Sequence, residues 1–312
     1  MHTISPRSEP LTFMNLPLCT DLDRLQADFA ILGIPYGMPY NMPELDNDQS
    51  DAPTAIRQES ARLSLGWEHW DFDLDGLFLA GGKLRAADCG DVPGDPHHPQ
   101  EHYRLAEVAV REILAHQAIP IVLGGDHGIS IPVIRALDGQ APLTLVQVDA
   151  HIDWRDEVTG VREGYSSPIR RAAEMSHVEG IFQIGIRAQG SARAEEVQAA
   201  LAHEAKIITA YEVHERGMDA ILDYIPQGGR YYLTIDADGL DPSVMPAVAG
   251  PAAGGLLFHQ VRRLIHGLAA KGRLLGMDFV EITPSRDLNG ISAITAGQLI
   301  LNFMGVARRT PS

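Results

Sequence analysis

Apolar runs that close on Gly, Asp or Pro recur along the chain, separated by stretches with helical spacing. FAILGIPY (29–36), IPIVLGG (119–125), LTLVQVDA (143–150), IFQIGIRA (181–188), YYLTIDAD (231–238) and LLGMDFVEITP (274–284) read as strands. Most are apolar on consecutive positions, the pattern of strands covered by helices on both faces. Between them, YRLAEVAVREILAHQ (103–117) sets Leu105, Val108, Ile113 and Leu114 on one stripe. AEEVQAALAHE (194–204) is similar, and 260–270 and 296–306 complete the helical set. Alternating strands and helices with short connections predict an α/β fold with a doubly wound parallel sheet and ligands beyond the strand C-termini. Two segments, 36–53 and 91–101, carry Pro, Asn and Asp without periodicity and read as surface loops. With no repeat and no linker composition, the pattern predicts one domain over 1–312, preceded only by a short arm of about residues 1–25.

Composition narrows the picture. At 312 residues, 45% hydrophobic and 21% charged, the chain can bury a core without disulfides or a structural metal. Cys19 and Cys89 are far apart in sequence and have no partnered spacing, so a reducing, cytoplasmic setting is expected. No apolar run approaches the roughly 18–20 residues of a membrane span. The N-terminal MHTISPRSEPLTFMNLP has no apolar secretory core. A formal net charge of −16 argues against nucleic acid and anionic membranes as partners.

Three predicted strands run into acidic and histidine clusters: GGDHGIS with Asp126 and His127, DAHID with Asp149, His151 and Asp153, and DADGLDP with Asp236, Asp238 and Asp241. All three open onto the same sheet edge. Asp149, His151 and Asp153 share parity and would face one side if the strand stays extended. Carboxylates gathered there would repel one another by several kcal/mol in a low-dielectric cleft unless cations intervene. Oxygen-rich sites with imidazoles and no thiolate suit Mn²⁺, with Fe²⁺, Co²⁺ or Ni²⁺ as substitutes. Six candidate ligands (His127, Asp149, His151, Asp153, Asp236 and Asp238) are too many for one ion that leaves room for substrate. Two divalent ions about 3.5–4 Å apart fit better, and such a pair can activate water. Asp126 and Asp241 read as turn caps or supports of the ligands.

With these motifs the chain resembles the ureohydrolase (arginase/agmatinase) family, nearer its agmatinase branch. The resemblance runs from ILGIPY (31–36) and APTAIR (52–57) through CGDV (89–92) to VEITP (280–284). It implies a three-layer α/β/α fold with a central parallel sheet, a binuclear Mn²⁺ centre, homo-oligomers (trimer or hexamer), and hydrolysis of a guanidinium to an amine plus urea. Carried over by motif, His127, Asp149, Asp153 and Asp236 would hold one ion, and Asp149, His151, Asp236 and Asp238 the other. Asp149 and Asp236 would bridge them. Glu281 matches the guanidinium-binding glutamate, and its carboxylate suits the fork of N–H groups. Asp153 is placed to accept a proton and pass it to the leaving amine.

The sequence also departs from the family pattern. Where relatives carry His-Gly before an apolar, Arg-rich segment, this chain reads REGYSSPIRRAAE (162–174). Tyr165 stands at the His position, and Glu163 would after a one-residue slip. A tyrosine stays protonated at neutral pH and would donate a hydrogen bond to the leaving group. The usual Arg-Gly-Xaa-Arg lead-in is replaced by LDNDQSDAP (45–53). Trp154 and Arg155 are candidate substrate contacts, the alternative for Arg155 being a surface pair with Asp156 or Glu157. The expected activity is therefore that of a metal-dependent amidinohydrolase acting on agmatine or a guanidino acid. The alternatives are hydrolysis of a formimino or biguanide-like C–N bond on the same scaffold, or a catalytically silent partner subunit.

Overall fold

The computed structural model describes residues 10–41, 47–66, 68–78, 85–190 and 192–309. Eight parallel strands form one sheet in the order β4-β1-β5-β10-β9-β6-β7-β8. They are β1 (Phe29–Ile34), β4 (Ala86–Asp91), β5 (Ile119–Gly124), β6 (Leu143–Val148), β7 (Val178–Ile186), β8 (Lys206–Thr209), β9 (Arg230–Asp236) and β10 (Arg273–Val280). A separate short hairpin pairs β2 (Trp70–Asp71) with β3 (Gly76–Leu77). The helices are α1 (Ala52–Ser60), α2 (Pro99–Ala115), α3 (Ser130–Ala136), α4 (Pro168–Ala173), α5 (Ala194–Ala202), α6 (Ala210–Arg216), α7 (Met218–Leu222), α8 (Phe258–Lys271) and α9 (Ile291–Arg309).

The two-residue period of each strand sorts its side chains into two cores. From β1, Phe29 and Ile31 enter one core, while Ala30, Leu32 and Ile34 enter the other; Val146 and Leu145 of β6 divide the same way. The first core is closed by α1, α6, α7, α8 and α9, the second by α2, α3, α4 and α5. This is the three-layer α/β/α arrangement that the apolar runs predict. Helical spacing explains each docking face: α9 buries Ala293, Ala296, Leu299, Ile300, Phe303 and Met304.

Several expectations change. On α2 the buried stripe is His102, Tyr103, Ala106, Val110 and Ile113, and Val108 is 43% exposed. β4 (AADCGD) and β8 (KIIT) escape the apolar-run criterion, being acid-bearing and short respectively. The 36–53 segment is shorter as a loop than expected, since a 3-10 turn at Asp48–Asp51 leads into α1. The first nine residues of the expected arm and the 45–46 start of LDNDQSDAP lie outside the described residues. The remainder of the arm is integral to the fold: Phe13 and Met14 are fully buried, and the Phe13 N–H donates to Asp88 at 2.7 Å. Leu18 bridges to Asp88 in parallel, which brings Cys19 alongside Cys89 as two free thiols.

Arg57 ties α1 to β4. It is 4% exposed and reaches Asp88 (2.8 and 3.0 Å), Asp91 (2.5 Å) and the Gly90 carbonyl (3.0 Å). Among the described residues no helix is long and apolar enough to cross a membrane.

Candidate metal centre

β5, β10, β9 and β6 are consecutive in the sheet, and all four deliver site residues at their C-terminal ends. After β5, a 3-10 turn at His127–Ile129 presents His127, with Asp126 capping it through the Gly128 N–H at 2.9 Å. The preceding Gly125 cannot carry a side chain, because a Cβ there would sit 2.1 Å from the Pro35 carbonyl oxygen. β9 ends on Asp236, and the turn Ala237–Gly239 presents Asp238. β10 leads into Glu281.

β6 stops at Val148, so Asp149, His151 and Asp153 stand in the loop beyond it rather than on an extended strand. They converge by a different route from the shared parity expected. Asp153 has φ +46°, and Glu281 has φ +65°. Both are in the left-handed region that non-glycine residues seldom occupy, at a cost of about 1–3 kcal/mol each. Such strain persists where the surrounding structure holds it, and here it turns both carboxyls toward the strand ends.

The six sequence-predicted ligand residues are brought together. His127 Nδ1 lies 2.8 Å from Asp153 Oδ2 and 3.2 Å from both Asp149 Oδ2 and Asp236 Oδ2. His151 Nδ1 lies 3.1 Å from Asp238 Oδ2 and 3.4 Å from Asp149 Oδ1. The two oxygens of Asp149 thus face two different imidazoles, as a bridging carboxylate requires. Asp236 faces only His127, its other oxygen accepting the Asp238 N–H at 2.9 Å. Two potential cation-holding sets follow, His127–Asp149–Asp236 and Asp149–His151–Asp238. His151 is the partly open member, its side chain 30% exposed, while the others are buried or nearly so.

Electrostatics mark the cluster as built for cations. Burial pushes the Asp153 carboxyl up, helped by the Asp149 charge, to about 6. Asp236 and Asp238 are likewise raised by burial and by neighbouring carboxylates. Burial also works against Asp149, but His127 and His151 pull it well below the carboxylate range. Hydrogen bonding to Asp149 and Asp238 lifts His151 to about 12. Four carboxylates crowded into one buried cluster call for compensating positive charge. Divalent cations would supply that charge, and their binding would release protons held by the cluster.

A direct sign of fit is His127 Nδ1. It is buried without a hydrogen bond of acceptable geometry, although three carboxylate oxygens surround it. Its other nitrogen is fixed from behind. His127 Nε2 is 2.9 Å from Thr234 Oγ1, whose hydroxyl donates to Asp278 Oδ1 at 2.5 Å, and Tyr232 donates to Asp278 Oδ2 at 2.7 Å. With its own proton committed to Asp278, Thr234 accepts from Nε2–H. In the neutral ring that a bound cation requires, the lone pair would then sit on Nδ1, facing the carboxylates.

Sequence reasoning missed this Thr234–Asp278 support, although a Thr and an Asp inside apolar strands were visible signals. It also missed Gln147, which donates to Asp149 Oδ2 at 2.6 Å, and Gln183, which donates to Gln147. Arg187 was missed as well. It is 5% exposed and donates to backbone carbonyls, among them Asp238 (2.6 Å), Leu240 (3.2 Å) and Ala252 (2.7 Å), which pins the Asp238 turn.

The expected substrate contacts fare differently. Trp154 is 2% exposed, inside the second core with its ring against His203, so it serves packing. Arg155 pairs with neither Asp156 nor Glu157 but with Glu196 at 2.6 Å, both side chains largely buried, so its charge anchors α5. Glu163 pairs with Arg135 at 2.6 Å, beside a surface cleft lined by Arg162, Arg171 and Glu174. Tyr165 is 36% exposed, with its ring 4.6 Å from that of Tyr40. Tyr40 escaped the sequence reading. Its hydroxyl accepts the Ser166 N–H at 2.9 Å, and the Asp153 charge adds to the burial that raises its pKa. Glu281 accepts from the His127 N–H (2.8 Å) and from Gln49 Nε2 (3.1 Å), and burial, then the Asp126 charge, pushes it up to about 8. Asp241 caps its own loop through Ser243, Gly254 and Gly255, as expected of it.

An α/β/α sheet whose central strand ends gather two linked carboxylate–imidazole sets has the arrangement of a candidate divalent-cation centre. The chain belongs to the arginase family, whose profile matches residues 27–305. It is 30% identical to a guanidinobutyrase of Pseudomonas aeruginosa, over 96% of this chain and 93% of that one. It is 31% identical to an agmatinase of Bacillus subtilis, over 86% and 89% respectively. The structure of proclavaminate amidino hydrolase from Streptomyces clavuligerus superposes with a TM-score of 0.83 at 27% identity, covering 98% of this chain and all of that one.

Proposed function

We propose that this chain hydrolyses a small guanidino compound, agmatine or a guanidino acid, to an amine and urea. The observation that carries the reading is Asp149, whose two oxygens address two separate imidazoles, together with Glu281, whose carboxylate accepts the backbone N–H of one of them, His127. The names of the relatives point to the same substrate class.

His127, Asp149, Asp153 and Asp236 would hold one cation, and Asp149, His151, Asp236 and Asp238 the other, with Mn²⁺ the favoured metal and Ni²⁺ the alternative. When bound, the pair supplies Lewis-acid activation of water. The chain's own residues do the rest. Glu281 pairs with the guanidinium N–H fork and fixes its carbon above the cluster, turning a bimolecular encounter into a positioned one. Asp153 accepts the proton that water releases on attack and returns it to the nitrogen of the breaking C–N bond. Tyr165 donates a hydrogen bond to the departing amine. The balance is one guanidinium plus one water giving urea and one protonated amine. The protein acts as a homo-oligomer, trimer or hexamer, in the cytoplasm.

The test is product analysis after loading with Mn²⁺ or Ni²⁺, using agmatine, 4-guanidinobutyrate and 3-guanidinopropionate. Equimolar urea and amine from one of them is expected. Turnover of a formimino compound instead, with no urea from any guanidino compound, would shift the reading to another C–N bond.

A further inference from the structure

The strap 47–51 replaces the family's arginine-bearing lead-in and is fastened over the Glu281 segment. Asn47 Oδ1 accepts the Ser50 N–H at 3.2 Å, and Ser50 Oγ donates to the Asn47 carbonyl at 2.7 Å, closing the turn on itself. Asp48 Oδ2 accepts the Ser285 N–H at 2.9 Å, four residues beyond Glu281. Between these ties, Gln49 Nε2 donates to Glu281 Oε2 at 3.1 Å. On the other side of the carboxylate, Oε1 accepts the His127 N–H at 2.8 Å.

We infer that Gln49 is a positioning residue for Glu281, keeping its hydrogen bond while a guanidinium occupies the same carboxylate. The inference rests on the guanidino-hydrolase reading and adds a residue to it. The guanidinium's positive charge favours the ionised form of Glu281, and an ionised carboxylate offers about four lone-pair positions. His127 N–H takes one on Oε1 and Gln49 takes one on Oε2, which leaves one on each oxygen. A guanidinium fork needs one on each oxygen. The four positions are thus filled by four donors without displacement. Gln49 is also neutral, so it orients the carboxylate without cancelling the charge that draws the substrate. Asp48 and the left-handed backbone at Glu281 hold the two partners in register.

The competing idea is that Gln49 holds the guanidinium's place and must leave when the substrate binds. The two ideas predict opposite kinetics. Gln49→Met keeps the length and removes the donor. Metal content and melting temperature serve as controls on folding. The test uses whichever of agmatine, 4-guanidinobutyrate or 3-guanidinopropionate the parent turns over. Positioning predicts a fall in kcat/KM of about tenfold or more, the size of one hydrogen bond to a charged group, with kcat carrying most of it. Gln49→Glu, which sets a second carboxylate against Glu281, should fall further. A lower KM with kcat unchanged, or parent kcat/KM in Gln49→Met, overturns the inference while leaving the activity standing. A parent protein that makes no urea from any of the three overturns the activity and this inference together.

Discussion

Thr234→Val tests whether the His127 imidazole is held from behind. Valine matches threonine in shape but cannot accept from His127 Nε2–H or donate to Asp278 Oδ1, the contacts at 2.9 and 2.5 Å. All three residues are at most 1% exposed, so water cannot replace the lost partner. One buried donor and one buried acceptor are stranded, at about 1–3 kcal/mol each, or about 2–6 kcal/mol together. Tyr232 still donates to Asp278 Oδ2, which keeps the loss from growing. For 312 residues, an unfolding entropy of about 2.1 cal/mol/K per residue makes each kcal/mol worth about 1.5 °C, so the metal-free protein should melt about 3–9 °C lower. With the ring no longer fixed, divalent-metal affinity should fall by about 10- to 100-fold. Thr234→Ser keeps the hydroxyl and should restore affinity while losing only the methyl, about 0.8 kcal/mol. Scanning calorimetry and chelator competition read the two effects. Parent melting and parent affinity in Thr234→Val would refute the reasoning.

Arg57→Ala removes the partner of Asp88, which is fully buried, and should cost about 3–5 kcal/mol of stability by denaturant titration; a loss under 1 kcal/mol would mean the pair is dispensable. Tyr165→Phe should lower kcat by about tenfold at unchanged metal content, and parent turnover would remove Tyr165 from the mechanism. Burial, then the neighbouring Cys19, pushes the Cys89 thiol up to about 12. A raised thiol pKa suppresses the nucleophilic thiolate, so iodoacetamide should leave Cys89 unmodified in the folded protein at pH 8 and label it in denaturant. Rapid labelling of Cys89 in the folded state would contradict its burial.

Much of the candidate centre was legible because its acidic and histidine residues follow apolar strands directly, and strand ends are easy to read. GGDH, DAHID and DADGLDP each announce a turn and a charged residue at a sheet edge. The manner of convergence was not legible. Parity along DAHID suggested an extended strand, whereas β6 ends before Asp149 and a left-handed residue at Asp153 completes the approach. Residues that support the cluster were hidden for a physical reason. Thr234, Asp278, Gln147 and Arg187 act across strands and loops, and pairings such as Thr234 with Asp278 depend on β9 lying beside β10. Trp154 and Arg155 follow Asp153 directly in the chain, but their side chains go elsewhere. One faces the second core and the other faces Glu196. β4 was unread because its residues are small or acidic, and its place is secured by Arg57 and by the arm rather than by apolar content.

The central claim is a pair of cations sharing Asp149, and metal stoichiometry tests it most directly. Protein loaded with excess Mn²⁺ and then desalted should carry two ions per chain by elemental analysis. Asp149→Ala should lose both, because each set depends on that carboxylate. Asp238→Ala should keep the ion at His127. A parent protein that saturates at one ion per chain, or an Asp149→Ala variant that still binds two, would contradict the account.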